Sequence, residues 1–224
     1  MSAEYDTLCA VQKRRYSCRA FRPDPVPQDV ISQIVTAAGQ VASWCNAQPW
    51  QVTITQGVAT DRFRTALSDA VGKGDPTPDF PWPKGYPGVY GDRRRTCGYQ
   101  LYDAVGIARE DRAGRAAQSM RNFALFDAPH VAIVHSEASL GPYGALDCGG
   151  FVNAFMLAAT SLGVASIAQA SIAAYPTLIR DHFDLSEDRM ILCGISFGYE
   201  DPDHPANTFR TERAGLDEVL DLRS

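Results

Sequence analysis

Only three stretches of the chain carry the pattern of β-strands, and they lie far apart. Trp50–Thr55 sets Val52 and Ile54 against Thr53 and Thr55, the period of two expected of a half-buried strand. His130–His135 is short and apolar, and Arg189–Phe197 is almost continuously apolar, as expected of a central strand covered on both faces. Helical spacing fills most of the rest. It predicts helices over Tyr5–Arg14 and from Val30 to Ala38, the latter started by Pro27. It predicts another through Phe63, Leu67, Ala70 and Val71, capped by Thr60 or Asp61. Further helices are expected over Thr96–Glu110, Gly114–Leu125, Ala145–Leu162 (closed by Gly163) and Tyr175–Phe183. A few strands separated by many helices cannot build regular βαβ units, so the expected class is α+β rather than a doubly wound parallel sheet.

Two segments fall outside this pattern. Asp75–Gly88 holds Pro76, Pro78, Pro81, Pro83 and Pro87, which break regular structure, yet interleaves Phe80, Trp82 and Tyr86. A solvated linker has no use for so many aromatics, so an ordered excursion is expected at about 73–95, a lid or a subunit-contact arm. The tail at about 205–224 is polar until Leu216, Val219 and Leu220. Gly39–Gln48 is small and polar and reads as a loop. The 224 residues otherwise form one domain, 1–224, with no internal repeat. Hydrophobic residues at 45% rule out disorder as the main state.

A net charge of −5 argues against a nucleic-acid binder. No signal peptide or membrane-length apolar run is visible, and the six cysteines (9, 18, 45, 97, 148, 193) form no C-x-x-C pair. Reduced thiols in a cytoplasmic protein are expected. Of the 21 basic residues, only Lys13, Lys73 and Lys84 are lysines, leaving 18 arginines. Position must decide whether any of these forks serves an anion.

Several catalytic patterns are excluded. Gly194-Ile195-Ser196-Phe197-Gly198 matches a nucleophile elbow, but Asp201-Pro202-Asp203-His204-Pro205 follows where a helix is required, and only His204 lies downstream. Small residues on a central strand, where something packs close, explain it better. The histidines at 130, 135, 182 and 204 show no zinc spacing, so no metal is expected. Neither a Walker loop nor G-x-G-x-x-G is present.

Arg15-Tyr16-Ser17-Cys18-Arg19 is more informative. In an extended chain Arg15, Ser17 and Arg19 face one side, offering two guanidinium forks and a hydroxyl to a phosphate dianion. This Arg-x-Ser-x-Arg-x-Phe run is followed by Pro-x-Pro and a helix, then by Ser43-Trp44-Cys45-Asn46-Ala47-Gln48-Pro49-Trp50 leading into a strand. Asn122-Phe123-x-x-Phe126-Asp127-Ala128-Pro129, Gly163-Val164-x-x-x-Ala168-Gln169-Ala170, Gly194-x-x-x-Gly198 and Arg210-x-x-Arg213 continue the series. In this order and separation the set resembles the nitroreductase family of flavin enzymes over nearly the whole chain. Tyr86-Pro87, Arg93-Arg94-Arg95, Leu101-Tyr102 and Gly106-Ile107-x-Arg109 resemble the branch of nitrobenzoate- and dinitroaniline-type reductases.

The resemblance implies a central, mostly antiparallel sheet flanked by helices, in an intertwined homodimer with FMN at the interface. It implies that Arg15, Ser17 and Arg19, with the adjoining Tyr16, hold the FMN phosphate and ribityl chain, helped by Arg213 and Arg210. Ser43, Trp44 and Asn46 would line the isoalloxazine edge. Ala168 to Ser171 would run beside the flavin, with Gln169, Ala170 and Ser171 near N5 offering backbone donors. The tail would reach over the partner subunit. Arg121 is the candidate positive neighbour of flavin N1 and O2, and Tyr86, Tyr90 and Arg93 are candidate substrate contacts. No catalytic acid or base is expected, because the flavin carries the hydride. NADH or NADPH would reduce it, and a nitroaromatic would accept two electrons in a ping-pong cycle, giving nitroso and then hydroxylamine. Tyr16 stands where many members have arginine or histidine, Ala42 where proline is usual, and Ala170-Ser171 where some have Glu-Gly. Reductive dehalogenation, enone reduction or dehydrogenation on the same fold, and a flavin-binding module without turnover, stay open at this point.

Overall fold

The computed structural model describes residues 2–74 and 76–223. Its centre is one four-stranded sheet in the order β1-β2-β4-β3, with every pair antiparallel. The strands are β1 (Gln51–Ile54), β2 (His130–Glu137), β3 (Ala165–Gln169) and β4 (Arg189–Gly198). Among the described residues seven α-helices surround it: α1 (Ala3–Arg14), α2 (Gln28–Ala38), α3 (Val58–Lys73), α4 (Val89–Ala104), α5 (Arg112–Met120), α6 (Gly141–Ser161) and α7 (Pro176–Phe183). The α+β expectation holds, and β4 sits inside the sheet as its apolar run predicts.

The sheet divides the core in two. On one face Val134, Ile195 and Phe197 pack against Ile31 and Ile34 of α2 and Phe151 and Phe155 of α6. On the other, Val131, Ile133 and Ile191 meet Phe63 and Leu67 of α3 and Ile179 of α7. The aliphatic residues of β2 and β4 are shared between these two faces, so the middle of each strand is apolar on both sides. Gly194 and Gly198 are required by packing: a Cβ at Gly194 would lie 2.5 Å from Ile172 Cδ1, and one at Gly198 would lie 2.6 Å from Pro129 Cδ. Ser196 between them is fully buried, and its hydroxyl donates to Gln169 Oε1 at 2.5 Å. It is a core residue, not an exposed nucleophile.

Several boundaries need correction. The third helix starts at Val58 after Gly57, whose φ of 53° suits glycine. Thr60 is therefore inside the first turn, where its hydroxyl bonds Thr55 and Pro129. The helix expected at Thr96–Glu110 spans Val89–Ala104 instead, so the irregular part of the excursion ends at Gly88. The excursion is pinned by Thr77 N–H on Ala174 C=O (2.9 Å), and Asp79 takes Arg180 (2.6 Å) and Ile191 N–H (2.9 Å). Asp75 lies outside the described residues. The helix expected over Gly114–Leu125 stops at Met120 and gives way to turns, after which Leu125, Phe126 and Asp127 adopt φ of 57°, 52° and 62°. Arg64 clamps that left-handed turn, donating to Ala124 C=O (3.1 Å) and Ala128 C=O (2.8 Å). The Ala145–Leu162 helix starts earlier, at Gly141, and β3 was not expected.

The two histidines of β2 are buried polar groups of the core. His130 Nε2 accepts from Val26 N–H at 2.9 Å, while Nδ1 lies 3.0 Å from Thr55 C=O, which fixes Nδ1 as the protonated nitrogen of a neutral ring. Burial lowers its pKa. Burial, with help from Arg189, lowers that of His135 to about 4. Neutral His135 therefore favours the native state above the ordinary histidine pKa of about 6.5, and that advantage is lost as pH falls from there towards 4. Urea unfolding should show about 3 kcal/mol lost from this group over that interval. A His135→Leu variant should show a correspondingly shallower decline, and parallel curves would refute the assignment.

Candidate active site

The N-terminal run leaves α1 at Arg15 and crosses the end of β3 in extended form, with Cys18 N–H on Ser166 C=O (3.2 Å). The C-terminal segment leaves β4 and comes back alongside it. The two are zipped by Arg22 N–H on Tyr199 C=O (2.8 Å) and Asp201 N–H on Ala20 C=O (3.1 Å). Asn207 closes the zip from inside. Its Oδ1 accepts from Arg19 N–H at 2.8 Å, and its Nδ2 donates to Ala20 C=O (2.9 Å) and Asp201 C=O (2.8 Å). Only 5% of Asn207 is exposed, so this hub is sealed from water.

The zip brings the two ends of the polypeptide to one cavity of about 740 Å³. Arg15, Tyr16, Ser17 and Arg19 line it from one end of the chain, and Arg210 and Arg213 from the other. Cys9 and Cys97, with Asn153 and Met156 of α6, complete its walls. Among the described residues, none of these four guanidiniums lies within salt-bridge distance of a carboxylate. The Arg19 guanidinium donates only to Ser17 C=O (3.0 Å). Arg213 bonds only its near neighbours at 211 and 212, and Arg210 the carbonyls of Asn207 and Phe209. Burial lowers the pKa of Arg19, and burial together with the Arg213 guanidinium lowers that of Arg15. Uncompensated cations held close together are costly, and a dianion among them relieves the cost. The donor set, the cavity and the charge therefore fit a phosphate monoester.

Tyr16 forms a wall of this cavity. Its ring lies 3.6 Å beneath the Arg210 guanidinium, and its hydroxyl donates to Glu200 at 2.5 Å. Burial and the Glu200 bond push its pKa far upward, so it is neutral and acts as a donor.

The other expected residues lie elsewhere in the chain. Ser43, Trp44 and Asn46 do not line this cavity. They form a tight turn with Cys45 and Asn46 in the left-handed region, held by Gln48 N–H on Ser43 Oγ (2.9 Å) and Trp44 N–H on Asp147 (3.1 Å). Trp44 is exposed and meets Tyr143 edge-on at 4.5 Å. Gln169 turns inward, donating to Asn122 C=O at 2.8 Å and accepting from Ser196, so its side chain is committed to the core. Ala168 and Ala170 are exposed at the end of β3, beside Ser171. Arg121 is paired with Asp127 at 2.9 Å, which offsets its charge. Tyr86 and Tyr90 are exposed, and Arg93 pairs with Glu218 of the tail at 2.7 Å. That pair is half exposed on both sides, so Arg93→Ala should cost under about 1 kcal/mol of stability, measured by urea unfolding. Glu200, Asn207 and Thr211 escaped sequence reasoning. Glu200 and Asn207 act through partners nearly two hundred residues away, and no local pattern marks them.

Known proteins resemble this chain in sequence and in fold. The Nitroreductase family profile matches residues 13–199. "Nitroreductase NfnB" of Mycolicibacterium smegmatis is 38% identical over 208 residues, covering 92% of this chain and 88% of that protein. A 4-nitrobenzoate reductase of Pseudomonas putida is 33% identical over 208 residues, covering 93% and 92%. The crystal structure of an FMN-dependent nitroreductase NfnB from Mycobacterium smegmatis, in complex with NADPH, superposes with a TM-score of 0.93 over 98% of this chain and all of that one, at 35% identity. The chain belongs to the nitroreductase family.

Proposed function

We propose that the protein is an FMN-dependent oxidoreductase that passes electrons from NADH or NADPH to nitroaromatic compounds, reducing nitro to nitroso and hydroxylamine. The observation that carries this reading is the convergence of Arg15, Arg19, Arg210 and Arg213 on one cavity, none with a carboxylate partner among the described residues. The family membership and the relatives named for nitroaromatic reduction support it. When bound, FMN supplies the hydride relay between reduced nicotinamide and acceptor. The chain's own task is to hold and orient. Arg15, Arg19 and Arg213 would take the phosphate, with the Ser17 hydroxyl as a further donor. Tyr16 would keep Arg210 in place. The backbone of Ala168 to Ser171 would face the ring system, its direction set by the Ser196–Gln169–Asn122 hydrogen bonds.

The reading extends to the assembly. The chain forms one cofactor-binding domain, its excursion and tail serving a homodimer, with Ser43, Trp44 and Asn46 completing the site of a second copy. Exposed Trp44, Tyr143 and Leu146, and Leu216, Val219, Leu220 and Leu222 of the tail, support this, because so much apolar surface is costly in water. Six free cysteines favour a reducing cytoplasm. No helix of the described residues is long and apolar enough to cross a membrane.

Purified protein should be yellow and should bleach on addition of NADH or NADPH without oxygen. A nitroarene should then restore the colour faster than a halophenol does. A colourless protein that takes up no FMN would end the proposal, and yellow protein that no reductant bleaches would mark a binding module without turnover.

A further inference from the structure

The two strands of the zip hold each other's arginines. Tyr16, on the N-terminal run, lies 3.6 Å beneath the Arg210 guanidinium of the C-terminal segment. Phe209, on the C-terminal segment, lies with its ring 5.7 Å from the Arg19 guanidinium of the N-terminal run. Each ring therefore meets a cation carried by the opposite strand, and all four side chains line the one cavity. The neighbouring hydrogen bonds cross in the same way. Arg19 N–H donates to the Asn207 side chain at 2.8 Å, and Arg210 Nη1 donates to Asn207 C=O at 2.7 Å.

A ring and a carboxylate hold a guanidinium differently. A carboxylate takes the in-plane N–H fork and offsets the charge, leaving less of both for an anion. An aromatic ring has no net charge and attracts the cation through the quadrupole of its face. At 3.6 Å only a flat stack fits between Tyr16 and Arg210, because an edge-on guanidinium would drive a nitrogen into the ring. The flat side of the cation is used and its edge is left over. Among the described residues, Nε and Nη2 of Arg19 and of Arg210 make no hydrogen bond, and only Nη1 of each is engaged, by backbone carbonyls.

Glu200 stands behind the closer stack. Its carboxylate accepts the Tyr16 hydroxyl at 2.5 Å, and among the described residues it makes no ion pair with Arg210. Its backbone is fixed by an antiparallel bridge to Phe21, with zip hydrogen bonds on either side at Tyr199 and Asp201. The bond therefore ties the Tyr16 ring to a rigid strand, and the acceptor's charge enriches the ring that faces Arg210. We infer that Phe209 and Glu200 are positioning residues of the anion site. Phe209 holds Arg19, and Glu200 holds Arg210 through Tyr16, so that each guanidinium keeps its charge and turns its edge to the phosphate. The inference rests on the reading that this cavity takes FMN.

The test titrates the full-length protein, freed of cofactor, with FMN and with riboflavin, following flavin fluorescence. Phe209→Leu should weaken FMN about fivefold and riboflavin less than about twofold, because only FMN carries the phosphate. Phe209→Tyr keeps a ring in place and should bind FMN within about twofold of the native protein. In an Arg19→Gln background there is no cation to hold, so Phe209→Leu should then cost less than about twofold. Glu200→Ala is compared in the native and Tyr16→Phe backgrounds. Deleting a negative charge near the site acts alike in both and cancels from the comparison. FMN affinity should fall at least about threefold further in the native background, since Tyr16→Phe leaves no hydroxyl for Glu200 to hold. A merely structural defect would cost the same in each background. Additive losses in either cycle, or equal losses for FMN and riboflavin, would overturn the inference and leave the functional proposal standing. Native protein without affinity for FMN would overturn both.

Discussion

Replacing Arg19 with glutamine is expected to weaken FMN binding about 30- to 100-fold while leaving the FMN-free protein as stable as before, or more so. Two opposite signs follow from one observation. In the free protein the Arg19 side chain meets no carboxylate among the described residues, burial lowers its pKa, and its one hydrogen bond there goes to Ser17 C=O. Its charge is therefore a cost to the fold, and removing it relieves repulsion in a cavity that also holds Arg15, Arg210 and Arg213. Against a phosphate dianion the same charge contributes a charge-assisted hydrogen bond, about 2–3 kcal/mol when lost. Quenching of flavin fluorescence would give the dissociation constants, and thermal unfolding without FMN the stability. Riboflavin is the control. It lacks the phosphate, so its weaker binding should be nearly indifferent to Arg19→Gln. Equal losses for FMN and riboflavin would place Arg19 at the ring or the ribityl chain and refute the phosphate assignment. This trade of stability for binding is common where a site must hold like charges ready for a ligand.

Those arginines were legible in the sequence because their signal is local. Arg15, Ser17 and Arg19 alternate along five residues, and an extended chain puts them on one side whatever the rest of the fold does. The main helices and the central strand were legible for the same reason: Pro27 starts α2, Gly163 follows α6 with φ of 77°, and β4 is almost continuously apolar. β3 was missed because Ala-Ser-Ile-Ala-Gln has no strong strand former except Ile167, and its place is set by pairing with β4. The turn at Leu125–Asp127 was missed because three consecutive residues with positive φ contradict local preference. Tertiary bonds from Arg64 hold them there. The direction of Gln169 was equally hidden. In the sequence it looks like a polar residue at the end of a motif, but its amide is spent on Ser196 and Asn122. Sequence pattern marks the groups that meet a ligand more readily than the groups that aim them.

Asn207 is the sharpest case of an aiming group, and its replacement should have the largest effect on the fold. Asn207→Leu nearly preserves volume, so the change is one of hydrogen bonding. It leaves Arg19 N–H without its acceptor and removes the donor to Asp201 C=O and Ala20 C=O in a place water does not reach. Ala20 C=O keeps the Asp201 N–H, and Asp201 C=O keeps a long bond from His204 N–H (3.4 Å), so one buried group, Arg19 N–H, is orphaned and two carbonyls lose a donor. At about 1–3 kcal/mol for the orphan and about 1 kcal/mol for the lost donor bonds, the expected loss is about 2–4 kcal/mol, a large fraction of the stability of an ordinary domain. Urea unfolding should show the midpoint fall by that equivalent. The functional consequence separates this variant from a general core defect. The zip carries Arg19 on one strand and Arg210 on the other, so loosening it uncouples the two halves of the cationic cavity. At low urea, where the variant is still folded, FMN affinity should fall at least tenfold. A core truncation of equal cost on the far face of the sheet, such as Leu67→Ala, should leave FMN affinity unchanged under the same conditions. If the two variants lose FMN affinity in parallel, Asn207 is only a packing residue. If Asn207→Leu alone loses it, the asparagine holds together the two ends of the chain that make the anion site.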